Sequence, residues 1–274
     1  MCQQSPDHRK SGSIRGVSLV KRIHVINIVI LLTLWTTQVF SQSIANYNTT
    51  RSTGVSYNSI ATTGSAFSGW RYSGSFSEDD NRSEATAIGF DFWYNGDRYT
   101  QYSVSTNGFI DFSNSTDDGG PQCDDYGYCN SQFSASTNGT WLALAPFYDD
   151  MTTGSGTDPL GTSIKHQLSG TAPNRVLTIE WIGMAVYGNT TPDLNFQVKL
   201  YETSGRIEFA YGTMNSGTNT FSYTIGINAA SVSNTPQASQ LKNQRFANTN
   251  IFNNTPQSNL STMPESGSQI SFEP

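Results

Sequence analysis

The sequence has few charged residues, few cysteines and no long apolar run. Asp, Glu, Lys and Arg make up only 13% of its 274 residues, whereas coiled coils and helical bundles are rich in Glu, Lys and Arg. The 15 Lys and Arg residues are outnumbered by 21 Asp and Glu residues, which argues against a nucleic-acid partner because that would require a basic surface. After residue 41, no window of 12 or more residues combines helical periodicity with capping residues.

Aromatic residues and glycine are plentiful instead. The chain contains 15 Phe, 13 Tyr, 5 Trp and 24 Gly. Such a set of aromatic side chains can bury a sizeable core, so a fully disordered chain is excluded.

Residues 1–41 have the pattern of a secretory signal peptide. Five basic residues precede an apolar run from Ile23 to Trp35, and small or polar residues follow up to Ser41. The run of 13 residues is shorter than the roughly 20 residues that span a bilayer. An uncleaved N-terminal anchor is the alternative. Without this segment the chain keeps 10 basic and 20 acidic residues, a net charge of −10, and we expect a secreted or cell-surface protein with no membrane span in its mature part.

Two cysteines remain after the signal peptide, Cys123 and Cys129. An even number of cysteines in an oxidising compartment predicts a disulfide. A seven-residue loop would be stabilised by roughly 2–2.5 kcal/mol, less any strain. The alternative is a metal site, for which two cysteines with no neighbouring histidine are weak support.

The strand signals predict one domain over residues 42–274. Alternating segments include Thr86 to Tyr94, Leu194 to Tyr201 and Ile207 to Tyr211, and Asn-Gly pairs such as Asn95-Gly96 favour hairpins. About nine or ten strands joined by Gly- and Asn-bearing turns predict an all-β fold, an antiparallel β-sandwich of jelly-roll type. A long polar loop covers residues 113–140, and loops of that length are usually functional or mobile.

The catalytic inventory is small. His166 is the only histidine after residue 41, and it lies in a predicted strand without a nucleophile motif. Paired carboxylates could serve sugar hydrolysis, hold Ca²⁺ through their oxygens, or only keep loops soluble. The candidate calcium ligands are Asp149, Asp150, Asp117 and Asp118. The first pair directly follows a buried strand, whose end can hold it rigidly.

Aromatic residues in loop-like sequence offer a ligand-binding route. Tyr126, Tyr128 and Trp70 could stack on sugars, although packing inside the fold is the commoner role of such rings. Asn-x-Ser/Thr triplets, among them those at Asn48 and Asn81, would accept glycans in a eukaryote. In a chain this rich in Asn, Ser and Thr, they are weak evidence.

Several segments together resemble a known family. They are Ile88 to Gly96, Val104 to Phe112, Leu144 to Asp150, Ala172 to Trp181 and Phe196 to Gly212. The ordered set resembles the N-terminal β-sandwich domain of secreted modular surface proteins of Bacteroidota, which often continue into fibronectin type III-like repeats and a type IX secretion sorting domain. More distantly, it is similar to nidogen-type extracellular domains. The sequence ends at Pro274 without such repeats, which fits either a truncated reading frame or a stand-alone module.

These observations favour a non-catalytic extracellular β-sandwich that serves adhesion or binds a ligand, with a glycan or a cell-surface protein as partner. The resemblance brings no established catalytic residue. A carbohydrate-active enzyme that uses loop carboxylates is the second hypothesis, and a structural spacer domain is the third. Ca²⁺ is the only cofactor that the residues suggest.

Overall fold

The computed structural model describes residues 43–67, 69–70, 81–112, 142–153, 164–187, 193–215, 217, 221–229, 241–254 and 260–274. All of them belong to one compact unit, Ser41–Pro274. The predicted signal peptide and the polar loop at residues 113–140 lie outside the described residues.

The described residues form 15 β-strands and one short 3₁₀ helix, and no α-helix occurs among them. The 3₁₀ helix covers Ile44–Asn46, and the strands are β1 (Asn48–Thr53), β2 (Ser65–Ala66), β3 (Thr86–Tyr94), β4 (Asp97–Ser105), β5 (Phe109–Asp111), β6 (Ala143–Tyr148), β7 (Met151–Thr153), β8 (Ile164–Ser169), β9 (Val176–Val186), β10 (Asp193–Tyr201), β11 (Ile207–Asn215), β12 (Thr224–Asn228), β13 (Leu241–Gln244), β14 (Phe252–Asn253) and β15 (Ser268–Glu273). Within the same part of the chain, no helix has the length and hydropathy that a membrane span needs.

The strands form two antiparallel sheets. An eight-stranded sheet has the order β1-β15-β11-β10-β9-β8-β2, with β7 also paired to β9, and a seven-stranded sheet has the order β14-β13-β12-β6-β5-β4-β3. The predicted all-β antiparallel sandwich is therefore confirmed. Four of the strands contain only two or three residues, which is too short for an alternating pattern to reveal.

The predicted hairpin between β3 and β4 is present. Asn95 has φ 53° and Gly96 has φ 92°, the left-handed backbone that a two-residue type I′ turn requires at both positions. β3 alternates buried and exposed residues along most of its length. One face of the hairpin therefore lies in the core and the other faces solvent.

Stacked aromatic rings fill the core between the two sheets. Trp181 lies nearly parallel to Phe196, with ring centroids 5.1 Å apart, and Phe147 lies against Tyr223 at 4.3 Å. The centroids of Phe147 on β6 and Phe196 on β10 are 5.7 Å apart, which joins the centre of one sheet to the centre of the other. All six residues of β6 are buried, as its continuous apolar sequence predicts.

Candidate functional site

Asp149 and Asp150 form the corner at which the chain changes sheets. β6 belongs to the seven-stranded sheet, whereas β7 pairs with β9 of the eight-stranded sheet. The Asp149 side chain is buried, and its Oδ1 accepts a hydrogen bond from the Asp150 N–H at 3.0 Å. The Asp150 carbonyl accepts one from the N–H of Tyr187 at 2.8 Å. The acidic pair therefore lies at an ordered strand end, where the sequence predicted a rigid position.

The turn between β4 and β5 packs directly on this corner. Asn107 accepts a hydrogen bond from the Met151 N–H through its Oδ1, at 2.9 Å. Gly108 has φ 80°, and a Cβ added there would lie 1.8 Å from the carbonyl oxygen of Phe147. Only glycine allows this approach. Two of the segments that carry the resemblance, one with the Asn-Gly turn and one with the acidic pair, are thus packed against each other.

A third segment, residues 81–83, completes this end of the seven-stranded sheet. The Asn81 N–H donates to Thr106 Oγ1 at 2.8 Å, and the Thr106 N–H donates to the Asn81 carbonyl at 2.9 Å. Arg82 donates from Nε to Ser103 Oγ and from Nη2 to Asp111 Oδ2, both at 2.7 Å. Asn81 is fully buried, so it is unsuited to carry a glycan in the folded protein.

Several predicted site residues lie outside the described residues, namely Asp117, Asp118, Cys123, Tyr126, Tyr128 and Cys129. Within the described part, no group of three or more His, Cys, Asp or Glu residues is placed to hold a metal ion. Calcium binding by the four aspartates and the disulfide both stay predictions.

Trp70 and His166 belong to one aromatic cluster at the β2 edge of the eight-stranded sheet. Trp70 is half-buried and packs edge-on against Phe67, with centroids 5.9 Å apart. His166 stacks on the same Phe67 ring at 4.6 Å, and its Nδ1 lies 3.2 Å from the Tyr102 hydroxyl. Burial lowers the pKa of His166. These contacts give the histidine a packing role and leave only part of the Trp70 ring accessible to a ligand.

The outer face of the eight-stranded sheet carries polar side chains in rows across the strands. In the first row, Lys199 pairs with Glu208 at 2.8 Å, and the hydroxyl of Tyr201 donates to the same carboxylate at 3.0 Å. In the second row, Lys165, Glu180, Gln197 and Ala210 lie side by side on β8, β9, β10 and β11. This face is polar because outward residues alternate with the core residues of the same strands.

Residues 54–64, here called the strap, cover the second row. The Tyr57 hydroxyl donates to Glu180 Oε1 at 2.9 Å, and the Ile60 N–H donates to Glu180 Oε2 at 2.5 Å. Gln197 donates from Nε2 to the Asn58 carbonyl at 2.9 Å. Gly212 makes room for the Tyr57 ring, since a Cβ there would lie 2.8 Å from it. Burial and the nearby Glu180 charge raise the pKa of Tyr57.

Sequence reasoning did not identify the strap or its anchor. Glu180 is completely buried in β9, and a buried carboxylate requires hydrogen-bonding partners. A single Glu inside the apolar stretch from Val176 to Ile182 was the available signal. It indicates that a partner exists, but it does not say that the partner is Tyr57.

Comparison with known families places the whole sandwich in one match. A family model described as NIDO related matches residues 46–274, a span that includes every described strand. No curated protein and no solved structure matches the chain. The match supports the nidogen-type resemblance, which the sequence had suggested only as the more distant one.

Proposed function

The chain belongs to the NIDO-related family, and from this premise we propose that it is an extracellular β-sandwich that serves adhesion or binds a ligand such as a glycan. The family indicates an extracellular, non-catalytic domain. Adhesion or ligand binding, at the cell surface or in the secreted fraction, is the part that we add.

One observation carries this proposal. The polar residues of the segments behind the resemblance are engaged in holding the fold. Asn107 binds the corner at Met151, Asp111 binds Arg82, and Asp149 binds the following backbone N–H. A module whose shared polar residues stabilise the sandwich leaves its loops and outer sheet faces for recognition.

The outer face of the eight-stranded sheet favours an uncharged, hydroxyl-rich ligand. Lys199 is paired with Glu208, and Arg206 lies 3.5 Å from Glu208 and 3.8 Å from Glu273. Paired charges at a surface attract neither anions nor cations strongly over distance. Hydroxyl, amide and carboxylate groups together with an aromatic ring suit the hydrogen bonds and the flat apolar faces of sugars.

Glycan binding can be tested with the exported protein on a glycan array. We expect binding that Tyr126→Ala, Tyr128→Ala and Trp70→Phe weaken. The control is Trp93→Ala, because Trp93 is 53% exposed on β3 and belongs to none of the proposed contacts. If no glycan or purified surface protein is bound, or if the control variant weakens binding as much as the others, the ligand-binding proposal is wrong.

Calcium binding at the acidic corner is a second part of the proposal. A cation that binds only the folded state raises its thermal stability, so calcium should raise the melting temperature of the exported protein and a chelator should lower it. Asp150→Asn should remove this calcium dependence. Asp91→Asn is the control, since Asp91 is exposed and paired with Arg98 at 2.9 Å. Thermal unfolding that ignores both calcium and chelator would contradict the site.

Export and the disulfide are tested together by mass spectrometry of the exported protein. We propose cleavage before Gln42 and a bridge between Cys123 and Cys129, which predict an N-terminus at Gln42 and a mass two hydrogens below that of the reduced chain. A full-length chain in the membrane fraction would support the uncleaved anchor instead. The finer resemblance, to modular proteins of Bacteroidota that use type IX secretion, is tested by reading the encoding locus beyond Pro274.

The carbohydrate-active enzyme remains the second candidate, because Asp149 and Asp150 are adjacent carboxylates at an ordered corner. Turnover of a polysaccharide that Asp150→Asn abolishes would establish it. A protein that binds no ligand and cleaves no polysaccharide would fit the third candidate, a structural spacer.

A further inference from the structure

The two sheets have four edge strands, and three of them are poorly suited to accept another strand. β2 and β14 contain only two residues each. β3 is long, but its register shifts between Ala87 and Phe92, Gly89 has φ 92°, and the Gly89 carbonyl accepts a hydrogen bond from Arg175 Nη1 at 2.6 Å. Short edges, bulges and capped carbonyls prevent edge-to-edge pairing.

The fourth edge, β1, has none of these features. All six residues from Asn48 to Thr53 pair with β15 in an unbroken register. No strand pairs with the other side of β1 within the described part of the chain. The strand contains no proline, and its only charged residue, Arg51, is engaged by Glu265 at 2.8 Å. A regular edge of this kind is a template for a further strand.

We propose that a second copy of this chain pairs its own β1 with this edge, antiparallel about a two-fold axis. Residues directly opposite each other in an antiparallel pair lie on the same face of the sheet. Only two self-pairing registers meet this condition with five paired residues, one centred on Thr50 and one centred on Arg51. The second would place two guanidinium groups opposite each other, which is unfavourable.

The register centred on Thr50 is therefore the one assigned. It sets Thr50 opposite its own copy, Thr49 opposite Arg51, and Asn48 opposite Ser52. Thr and Ser pairs across strands form favourable contacts, and Thr favours extended backbone. The contact is isologous, so it closes at two copies and does not grow into a fibre.

Two strands of six residues bury well under the roughly 1,000 Å² of a stable interface. The dimer is therefore weak in solution and gains strength where many copies are held on one surface. This inference does not depend on the ligand-binding proposal, because it uses the β1 backbone and none of the proposed glycan or calcium residues. Loss of either function would leave the other unaffected.

Cysteine cross-linking of the exported protein tests the register. Thr50→Cys places two thiols opposite each other across the axis, at a separation that a disulfide can bridge. Ser52→Cys places its two copies about 13 Å apart along the strands, too far for a disulfide. Thr100→Cys is the control, since Thr100 is exposed on β4, which has a strand on each side. Efficient dimer formation by Thr50→Cys alone is expected, and cross-linking no greater than that of Thr100→Cys would overturn the proposal.

Sedimentation equilibrium gives the second test. Thr50→Lys should raise the dimer Kd several-fold, because it opposes two like charges, and mixing it with Thr50→Glu should restore a mixed dimer. Thr100→Lys should leave the Kd unchanged, and thermal unfolding verifies that each variant is folded. A wild type that stays monomeric at about 1 mM, or a dimer that Thr50→Lys does not weaken, would refute pairing through β1.

Discussion

The guanidinium Nη2 of Arg82 lies 2.7 Å from Oδ2 of Asp111, in an ion pair whose side chains are 1% and 2% exposed. The pair joins residues 81–83 to the end of β5, and Ser103 accepts a second hydrogen bond from Arg82. Charges removed from water to this extent require each other, because neither can be solvated after its partner is lost.

Removing one member of this pair should therefore be costly. We expect Arg82→Met to lower the free energy of unfolding by about 3–5 kcal/mol, since it leaves a buried carboxylate without its cation. Arg98→Met, which breaks the exposed pair with Asp91, should cost no more than about 1 kcal/mol. Urea denaturation measures both. The double change Arg82→Met with Asp111→Leu should recover part of the loss, and equal costs for the two single arginine variants would refute the assignment.

Gly108 should not tolerate a side chain. In Gly108→Ala the new Cβ would meet the Phe147 carbonyl at 1.8 Å, in addition to the cost of about 1–2 kcal/mol for a left-handed backbone. We expect a loss above about 3 kcal/mol. Gly96→Ala has a similar φ but no atom within 4 Å of the added Cβ, so only the conformational cost applies. Equal denaturation midpoints for the two variants would contradict the contact between turn and corner.

The local features of this fold could be read from the sequence. The Asn95-Gly96 turn fixes a hairpin because few residues adopt its backbone, and the alternation along Leu194 to Leu200 fixes which face of β10 is buried. The acidic corner was predicted as a rigid strand end because it directly follows an apolar strand. Each of these inferences needs only neighbours in the sequence.

The strap and the buried ion pair could not be predicted in this way. Tyr57 and Glu180 are 123 residues apart, and Arg82 and Asp111 are 29 apart. A sequence pattern shows that a polar residue sits among apolar ones, but its partner is decided by sheet order and register. The candidate calcium and aromatic residues of the 113–140 loop depend on long-range placement for the same reason.

Acid should remove the stabilisation that Glu202 provides. Hydrogen bonds from Arg175 lower the pKa of the Glu202 carboxyl to about 2 from 4.5. The unfolded chain therefore binds this proton first, and the stabilisation present above pH 4.5 is lost as the pH falls toward 2. The difference in melting temperature between wild type and Arg175→Met should shrink over that window. The bond from Arg175 to the Gly89 carbonyl does not titrate, so a difference that stays constant with pH would contradict the role of Glu202.

His166 should make the fold less stable in mild acid. Burial lowers its pKa below the ordinary value of 6.5, so the unfolded chain takes up the proton before the folded chain does. Stability should fall as the pH drops below 6.5, until the folded-state pKa is reached. His166→Phe keeps a ring against Phe67 and should flatten the dependence of melting temperature on pH between about 6.5 and 5.5. An unchanged slope in this variant would assign the dependence to carboxylates.

The strap should loosen when its anchor is weakened. Tyr57→Phe removes the hydroxyl that donates to the buried carboxylate of Glu180, and a hydrogen bond to a charged group contributes about 1.5–3 kcal/mol. We expect thermolysin to cleave within residues 54–64 several-fold faster in this variant, because local opening requires less free energy than global unfolding. Tyr201→Phe is the matched control. It removes a hydroxyl bond to Glu208, which keeps Lys199 as a partner, and it should leave strap cleavage at the wild-type rate. Equal cleavage in both variants would mean that the strap is held by its backbone contacts and that Glu180 does not anchor it.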